Sequence, residues 1–123
     1  MTEFKLLIDG KLVPGAATLD VINPATEEVL AVAPRADKAQ LDQAVAAAKA
    51  AFPSWSATPI RERGAKLVAL ADALEARHAE FAHLLTEEQG KPLPQAQGEL
   101  YGTIAMIRYF ATLDLPFKVL KED

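Results

Sequence analysis

The spacing of the hydrophobic residues changes at Asp37, and this change fixes the order of secondary structure along the chain. Before it, apolar residues occur in short runs separated by turn residues, as in strands. After it, they recur about every 3.6 residues, as on one face of a helix. The sequence therefore predicts strands over residues 4–33, three or four helices over 37–112, and an extended tail over 113–123.

Two β-hairpins are predicted in the strand region. The runs FKLLI and KLV flank Asp9-Gly10, a dipeptide typical of a two-residue type I′ turn because both central residues need a positive φ. The runs LDVIN and EVLAVA flank PATE, which gives the second hairpin a longer turn.

Start and stop signals divide the helical region. Asp37 and Gln40 have the spacing of a capping box. Pro53 is expected to end the first helix, with SWSAT as a linker in which the tryptophan packs against a helix. Thr58 is expected to cap the second helix, with Pro59 at its first position. The apolar positions expected on buried helix faces are Leu41, Ala44, Val45, Ala48, Phe52, Leu67, Leu70, Ala71, Leu74, Phe81, Leu84, Leu85, Leu100, Ile104, Ile107 and Phe110.

The later helices are predicted from shifts in phase and from prolines. The apolar stripe slips near Arg77-His78, so the long second helical stretch is expected to bend or break there. The last helix is expected to start near Pro94 and to run to about Thr112. The chain is then expected to continue as an extended strand from Pro116.

The apolar content of the chain predicts a thin core. Alanine occurs 24 times, whereas Phe, Trp and Tyr together supply only eight residues. Alanine favours helix and close packing, but each alanine buries little area. Some of the remaining apolar surface is therefore expected to lie against something outside this chain.

Charge and cysteine content narrow the function classes. The net charge of −4 gives no basic surface, so nucleic acid is not an expected partner. No uncharged apolar run approaches the roughly 18 residues of a membrane span. The absence of cysteine excludes disulfides, thiolate metal sites and cysteine nucleophiles within these residues. We expect a cytoplasmic protein.

The stretch EEQGKPL allows two interpretations. A Gly-Lys pair suggests a phosphate-binding loop, but such a loop needs several glycines after a strand. The preceding residues LLTEEQ instead resemble the last turn of a helix, and Glu87 and Glu88 would repel phosphate. A helix stop is favoured, with Gly90 in the left-handed conformation and Pro92 preventing continuation.

Other polar residues allow functional and structural explanations. His78 and His83 are five apart, so their side chains do not converge on a metal as an i, i+4 pair would, and we expect ordinary surface residues. Arg61 and Arg63 stand near a helix start, where an ion pair to a neighbouring segment is favoured over anion binding.

Two glycines of the last helix form a stripe with Met106. Gly98 and Gly102 are spaced by four and cost about 1 kcal/mol each relative to alanine in a helix interior. Close approach of another helix would explain them. The alternative is a face kept bare to leave room for a ligand.

Six segments in order resemble the opening of the aldehyde dehydrogenase superfamily. They are LLIDGKLV, INPATEEVLAVAPRA, AVAAAKAAFPSW, the helix Arg61–Leu74, LLTEEQGKPLPQAQGEL and IRYFA. The resemblance extends from about Leu6 to Ala111, and the combination of INPAT, FPSW and EEQGKPL is specific. It implies an α/β family fold of which residues 1–123 are the N-terminal part of the cofactor-binding domain, without its dinucleotide sheet.

The resemblance also implies two sites. In the family, an acidic residue just before Gly-Lys-Pro helps to coordinate a structural monovalent cation, together with a backbone carbonyl ahead of the Asn-Pro turn. The matching residues are Glu88 and Ile22, and oxygen ligands suit a hard alkali cation. A salt bridge or a solvated Glu88 is the alternative. The last helix resembles one that borders the aldehyde-entry tunnel, so Gly98 and Gly102 are expected at the substrate entrance.

The activity implied by the resemblance is oxidation of an aldehyde to a carboxylic acid with NAD or NADP, through a cysteine thiolate and a glutamate-activated water. The residues for that chemistry lie in later parts of a longer family chain. We therefore expect no catalytic residue, no cofactor-binding residue and no bound NAD or NADP in this chain. The expected partners are the remainder of an aldehyde dehydrogenase chain or copies of this chain in a homo-oligomer. The alternative is a free-standing helical interaction or oligomerisation module without catalysis.

Overall fold

The computed structural model describes residues 4–114 and Leu120, and within them it has two hairpins followed by four helices. The elements are β1 (Leu6–Ile8), β2 (Lys11–Val13), β3 (Ala17–Ile22), β4 (Val29–Arg35), α1 (Lys38–Ala57), α2 (Ile60–Ala76), α3 (His78–Gln89) and α4 (Leu93–Ala111). The predicted order, strands first and helices afterwards, is confirmed. The extended strand predicted at Pro116 lies outside the described residues.

Both hairpins are antiparallel, as predicted. The β1–β2 turn has φ values of 53° at Asp9 and 70° at Gly10, which is the pair of positive values that a type I′ turn needs. In the second hairpin, β3 and β4 pair from Ala17 opposite Arg35 to Ile22 opposite Val29. The register shifts between Val21 and Ile22, so one residue of β4, Leu30, bulges out of the ladder.

Helix α1 begins as predicted but ends later than predicted. Its capping box is present, since Gln40 N–H donates to Asp37 Oδ1 over 2.8 Å and the Gln40 side chain returns to the Asp37 N–H. The prediction that Pro53 ends the helix is wrong, because α1 continues to Ala57. The effective stop is Pro59, which disfavours helical geometry in the residue before it.

Thr58, the residue before Pro59, does not cap α2 as predicted. Its backbone is extended, with φ −65° and ψ 128°, and its hydroxyl donates backwards to the Ser54 carbonyl over 3.0 Å. Pro59 occupies the cap position of α2, and no side chain of the described residues caps that helix end. The sequence SWSAT, expected as a linker, is therefore mostly the last turn of α1.

The large apolar residues of α1 are exposed, which contradicts the predicted buried face. Leu41 and Val45 are mostly exposed, Phe52 is 65 % exposed and Trp55 is 46 % exposed. Contact with the first hairpin is made through alanines instead, because Ala44, Ala47, Ala48 and Ala51 face Leu7–Gly10. The described residues contain nothing that covers the larger side chains.

The core lies between α2, α3 and α4, and it consists mainly of small residues. Ala71, Ala82 and Ala96 are fully buried, and Ile104 is the largest buried side chain among the described residues. The break predicted near Arg77 is confirmed, because α2 ends at Ala76 and α3 starts at His78. Leu67, Leu70 and Phe110 were expected to be buried but are exposed.

Polar contacts join α4 to α2 and α3. Arg108 Nη2 donates to Asp72 Oδ1 and Glu75 Oε2, each over 2.7 Å. The His78 ring packs on Tyr101 with centroids 4.1 Å apart, and its Nε2 lies 3.2 Å from the Gln97 carbonyl oxygen. No helix in the described part of the chain has the length and apolar character needed to cross a bilayer.

Gly64 and Gly102 offer a matched test of this packing. A Cβ atom at Gly64 would overlap the Ala111 carbonyl oxygen, whereas a Cβ at Gly102 would meet nothing within 4 Å. We expect Gly64→Ala to destabilise the fold by about 1–3 kcal/mol, the usual cost of overpacking. Gly102→Ala is expected to stabilise it by up to about 1 kcal/mol through helix propensity. Urea unfolding followed by circular dichroism gives both values. Equal effects of the two substitutions would contradict the close approach at Gly64.

The Arg108 contacts predict an acid sensitivity. Hydrogen bonding to Arg108 lowers the pKa of Glu75 below its ordinary value of 4.5. The resulting stabilisation is present above that value and is lost as the pH falls through the folded-state pKa. We expect Glu75→Gln to be less stable than the parent at neutral pH and to lose less stability between about pH 5 and 3.

Thermal melting across this pH range checks the acid sensitivity, with Glu28→Gln as the control because the Glu28 side chain forms no ion pair among the described residues. Parallel pH profiles for the parent and Glu75→Gln would show that the Glu75 contact does not stabilise the folded chain.

Candidate functional site

The segment EEQGKPL forms a helix stop, as predicted, and not a phosphate loop. Helix α3 ends at Gly90, which has φ 71° and ψ 14° and donates its N–H to the Thr86 carbonyl over 2.8 Å. This is the left-handed closure that glycine adopts without steric cost. Pro92 follows and precedes α4.

This helix stop packs against the turn between β3 and β4. A Cβ atom at Gly90 would lie 3.0 Å from Pro24 Cγ, so the two turns touch. The β3–β4 turn is held by its own hydrogen bonds, including Asn23 N–H to the Glu28 carbonyl over 2.9 Å and Ala25 N–H to Asn23 Oδ1 over 2.9 Å. The segments INPAT and EEQGKPL, far apart in sequence, are therefore in contact.

Glu88 stands beside the end of β3. It lines a shallow cavity of about 170 Å³ together with Val21, Leu30 and other apolar residues of the second hairpin and α3. Val21 is the neighbour of Ile22, and the bulge at Leu30 directs an apolar side chain toward the same cavity. Glu88 therefore lies near the end of β3, and the assignment of a cation site to Glu88 and the Ile22 carbonyl stays a prediction.

The chemistry of these groups fits a cation held by oxygen atoms. Glu88 is exposed, and its carboxylate has no hydrogen-bond or ion-pair partner within the described residues. The nearby Glu99 carboxylate, in contrast, is neutralised by Lys91. Three or more His, Cys, Asp or Glu side chains do not converge anywhere in residues 4–114. Backbone carbonyls would have to supply most ligands here, which suits an alkali ion better than a transition metal.

Gly98 and Gly102 lie on the face of α4 that is turned away from the core. A Cβ atom at either glycine would meet nothing within 4 Å. The explanation that another helix approaches this stripe is therefore wrong for the described residues, where the close approach occurs at Gly64 instead. Met106, on the same stripe, is also exposed. The stripe is a bare surface, and its assignment to a substrate entrance stays a prediction.

The structure agrees with only some of the predictions made for arginine and histidine residues. Arg61 and Arg63 form no ion pair within the described part of the chain, contrary to the favoured expectation. His83 is exposed as expected, but His78 is a contact between α3 and α4. Arg108 was missed entirely. A lone arginine in a helix gives no local signal that it will meet carboxylates on another helix.

Comparison with known proteins identifies this arrangement. A model of the aldehyde dehydrogenase family matches residues 12–117. A probable aldehyde dehydrogenase from Pseudomonas sp. is 45 % identical over 115 residues, which are 94 % of this chain and 24 % of that protein. PnpE from Pseudomonas sp. WBC-3 is 38 % identical with a TM-score of 0.84, over 89 % of this chain and 23 % of PnpE.

Two solved relatives contain a nicotinamide cofactor. PnpE has also been solved in complex with nicotinamide adenine dinucleotide. A betaine aldehyde dehydrogenase variant from Staphylococcus aureus, solved with NAD+, is 32 % identical with a TM-score of 0.84, over 87 % of this chain and 23 % of that enzyme.

The hairpins and helices are those of the N-terminal region of an α/β oxidoreductase fold. The chain belongs to the aldehyde dehydrogenase family. It spans about a quarter of the length of the relatives it matches.

Proposed function

We propose that this chain acts as part of an NAD(P)-dependent enzyme that oxidises an aldehyde to a carboxylic acid. The observation that carries the proposal is the match, in sequence and in fold, to the same region of NAD-bound aldehyde dehydrogenases. The nicotinamide would accept hydride when bound. The residues of this chain would support the reaction from outside the reacting centre, because they include no cysteine.

The exposed apolar face of α1 supports a packing role. Leu41, Val45, Phe52 and Trp55 present a surface that the described residues leave uncovered. Exposed apolar surface of this kind marks an interaction site. We propose that further aldehyde dehydrogenase sequence covers it, and that the assembled protein is a homo-oligomer. The cytoplasmic location expected from the sequence stays a prediction.

The turn at Glu88 and the face at Gly98–Gly102 would serve the enzyme in different ways. A monovalent cation held by the Glu88 carboxylate and the Ile22 carbonyl would tie α3 to the second hairpin. The bare face of α4 would form one wall of the aldehyde entrance, since glycine leaves the most room for a passing molecule. Support comes from the unpartnered Glu88 carboxylate and the open space beside both glycines.

A chimera tests the proposed enzyme. Residues 12–114 would replace the matching segment of the Staphylococcus aureus betaine aldehyde dehydrogenase, to which the chain is 32 % identical. We expect the chimera to oxidise betaine aldehyde with NAD+ at a kcat/KM within about tenfold of the parent, which corresponds to a loss of about 1.4 kcal/mol or less in transition-state stabilisation. NAD+ reduction is followed by absorbance.

Two controls make the chimera informative. The isolated chain is expected to reduce no NAD+, and the relative without its N-terminal segment is also expected to be inactive. A folded, inactive chimera would count against a role in this enzyme class. If the isolated chain formed a defined oligomer as well, the free-standing interaction module would be the better description.

The cation site predicts a salt-specific stability. A cation that binds only the folded state stabilises it by about 1.4 kcal/mol at ten times its Kd. We expect the active chimera to melt at a higher temperature in KCl or NaCl than in tetramethylammonium chloride at equal ionic strength, and Glu88→Ala to abolish this difference. Glu87→Ala is the matched control, because it removes the adjacent carboxylate of the same helix turn. Equal salt responses for Glu88→Ala and the parent would exclude the site.

A further inference from the structure

Helix α4 has a buried face and, opposite to it, an exposed face that carries two glycines. Ala96 and Ile104 are buried against α2 and α3, while Gly98 and Gly102 lie roughly on the other side, given about 100° per residue. The position of the bare face is therefore set by how α4 sits on its buried side. Any slip of α4 along α2 would carry the glycine stripe with it.

The apolar contacts between α2 and α4 include one large buried side chain, Ile104, and otherwise offer little resistance to such a slip. The buried side chains on these helices are mostly single methyl groups, as at Ala71 and Ala96. Helices are held in one register by large side chains that fill matching grooves, and methyl groups give shallow ridges. Gly64 lets the backbones of α2 and α4 approach closely, but it has no side chain that could prevent one helix from sliding along the other.

Arg108 supplies the directional contact that the core lacks. Its guanidinium reaches two carboxylates on successive turns of α2, Asp72 and Glu75, with Nη2 2.7 Å from an oxygen of each. A second nitrogen, Nη1, lies 3.5 Å from the other oxygen of Glu75. Within the described residues, these are the side-chain hydrogen bonds between α2 and α4. A planar fork that binds two carboxylates on adjacent turns favours one position along the helix axis as well as one distance.

We propose that Arg108 is a positioning residue that fixes α4 along α2 and thereby holds the Gly98–Gly102 face in place. The link to the aldehyde entrance rests on the proposed function, whereas the link to helix position does not. Lysine at this site would keep the charge but would lose the fork, since an ammonium group is a point charge. Arg108→Lys therefore tests whether the fork geometry of the guanidinium matters in addition to its charge.

Arg77 provides a matched control. It forms a fork of the same kind with Glu80, with Nε 2.8 Å from Oε2 and Nη2 2.5 Å from Oε1. Arg77 is the cap residue between α2 and α3, and within the described part of the chain its pair with Glu80 makes no contact with α4. Arg77→Lys removes a comparable fork without touching the α2–α4 contact.

The first experiment measures helix position directly in this chain. Because the sequence contains no cysteine, spin labels can be attached at Ala69→Cys on α2 and Ala105→Cys on α4, both exposed positions. Pulsed electron paramagnetic resonance then gives the distribution of distances between them. We expect one narrow distribution for the parent and for Arg77→Lys. Arg108→Lys is expected to shift or broaden it by about 1.5 to 5.4 Å, the rise of one residue to one turn.

Glu75→Gln provides a second route to the same result. This substitution removes the charge of one acceptor of the Arg108 fork, so we expect a smaller change in the label-to-label distance, in the same direction. It can be used in place of Arg108→Lys if that variant fails to fold. Circular dichroism confirms equal helicity before distances are compared. A folded variant, Arg108→Lys or Glu75→Gln, with an unchanged distance distribution would overturn the proposal.

The second experiment tests the link to the entrance in the active chimera. We expect Arg108→Lys to raise KM for a bulky aldehyde by about threefold or more relative to betaine aldehyde, with little change in kcat, as for an altered binding path. Arg77→Lys is expected to leave the ratio unchanged. If α4 moves but the ratio of the two KM values does not change, the proposed role of Arg108 at the aldehyde entrance is wrong, whereas its role in the position of α4 stands. A chimera that oxidises no aldehyde would instead refute the proposed enzyme, while the distance measurement still decides the role of Arg108.

Discussion

Close packing of very small residues between α2, α3 and α4 is the interaction on which the rest of the structure depends. Ala71, Ala82 and Ala96 are fully buried, and Gly64 meets the backbone of α4 without a side chain between them. Small residues let helix axes come close, so backbone and Cβ atoms make the contacts that larger side chains usually make. The area buried per residue is correspondingly low. The three helices therefore form a narrow bundle in which Ile104 is the one large apolar side chain that is buried among the described residues.

Many of the other bulky apolar side chains are exposed as a result. Leu7 and Leu12 are cross-strand partners on the first hairpin, and each is 69 % exposed. The large residues of α1 are exposed in the same way, because α1 meets the first hairpin through alanines, while the second hairpin meets the bundle at the turn beside Gly90. Two-stranded sheets are marginal without a packing surface. Within the described residues these faces have no covering surface, and the chain matches about a quarter of the length of its relatives.

Local chemistry allowed much of this fold to be predicted, and non-local contacts account for most of what was missed. Asp9-Gly10 and Gly90 were predictable because a positive φ strongly limits the residues that fit. Pro53 misled because a proline within a helix costs one hydrogen bond, and the stronger restriction came from the next proline in the chain. Arg108 could not be found at all, since its partners are 33 and 36 residues away and no periodicity encodes such a pairing. The candidate cation site was placed by resemblance, and its residues alone would not have indicated it.

The contact between Gly90 and Pro24 gives the resemblance a physical meaning. Gly90 is constrained twice, because its φ of 71° disfavours any side chain and because a Cβ atom there would press on the Pro24 ring. The turn INPAT and the turn EEQGKPL therefore depend on each other: the proline ring of one occupies the space that the glycine of the other leaves empty. A side chain at Gly90 would press on the Pro24 ring and so disturb the contact between α3 and the second hairpin. The two segments that most clearly mark the family in the sequence are two sides of one contact, so their joint presence predicts this junction of hairpin and helix better than either segment alone.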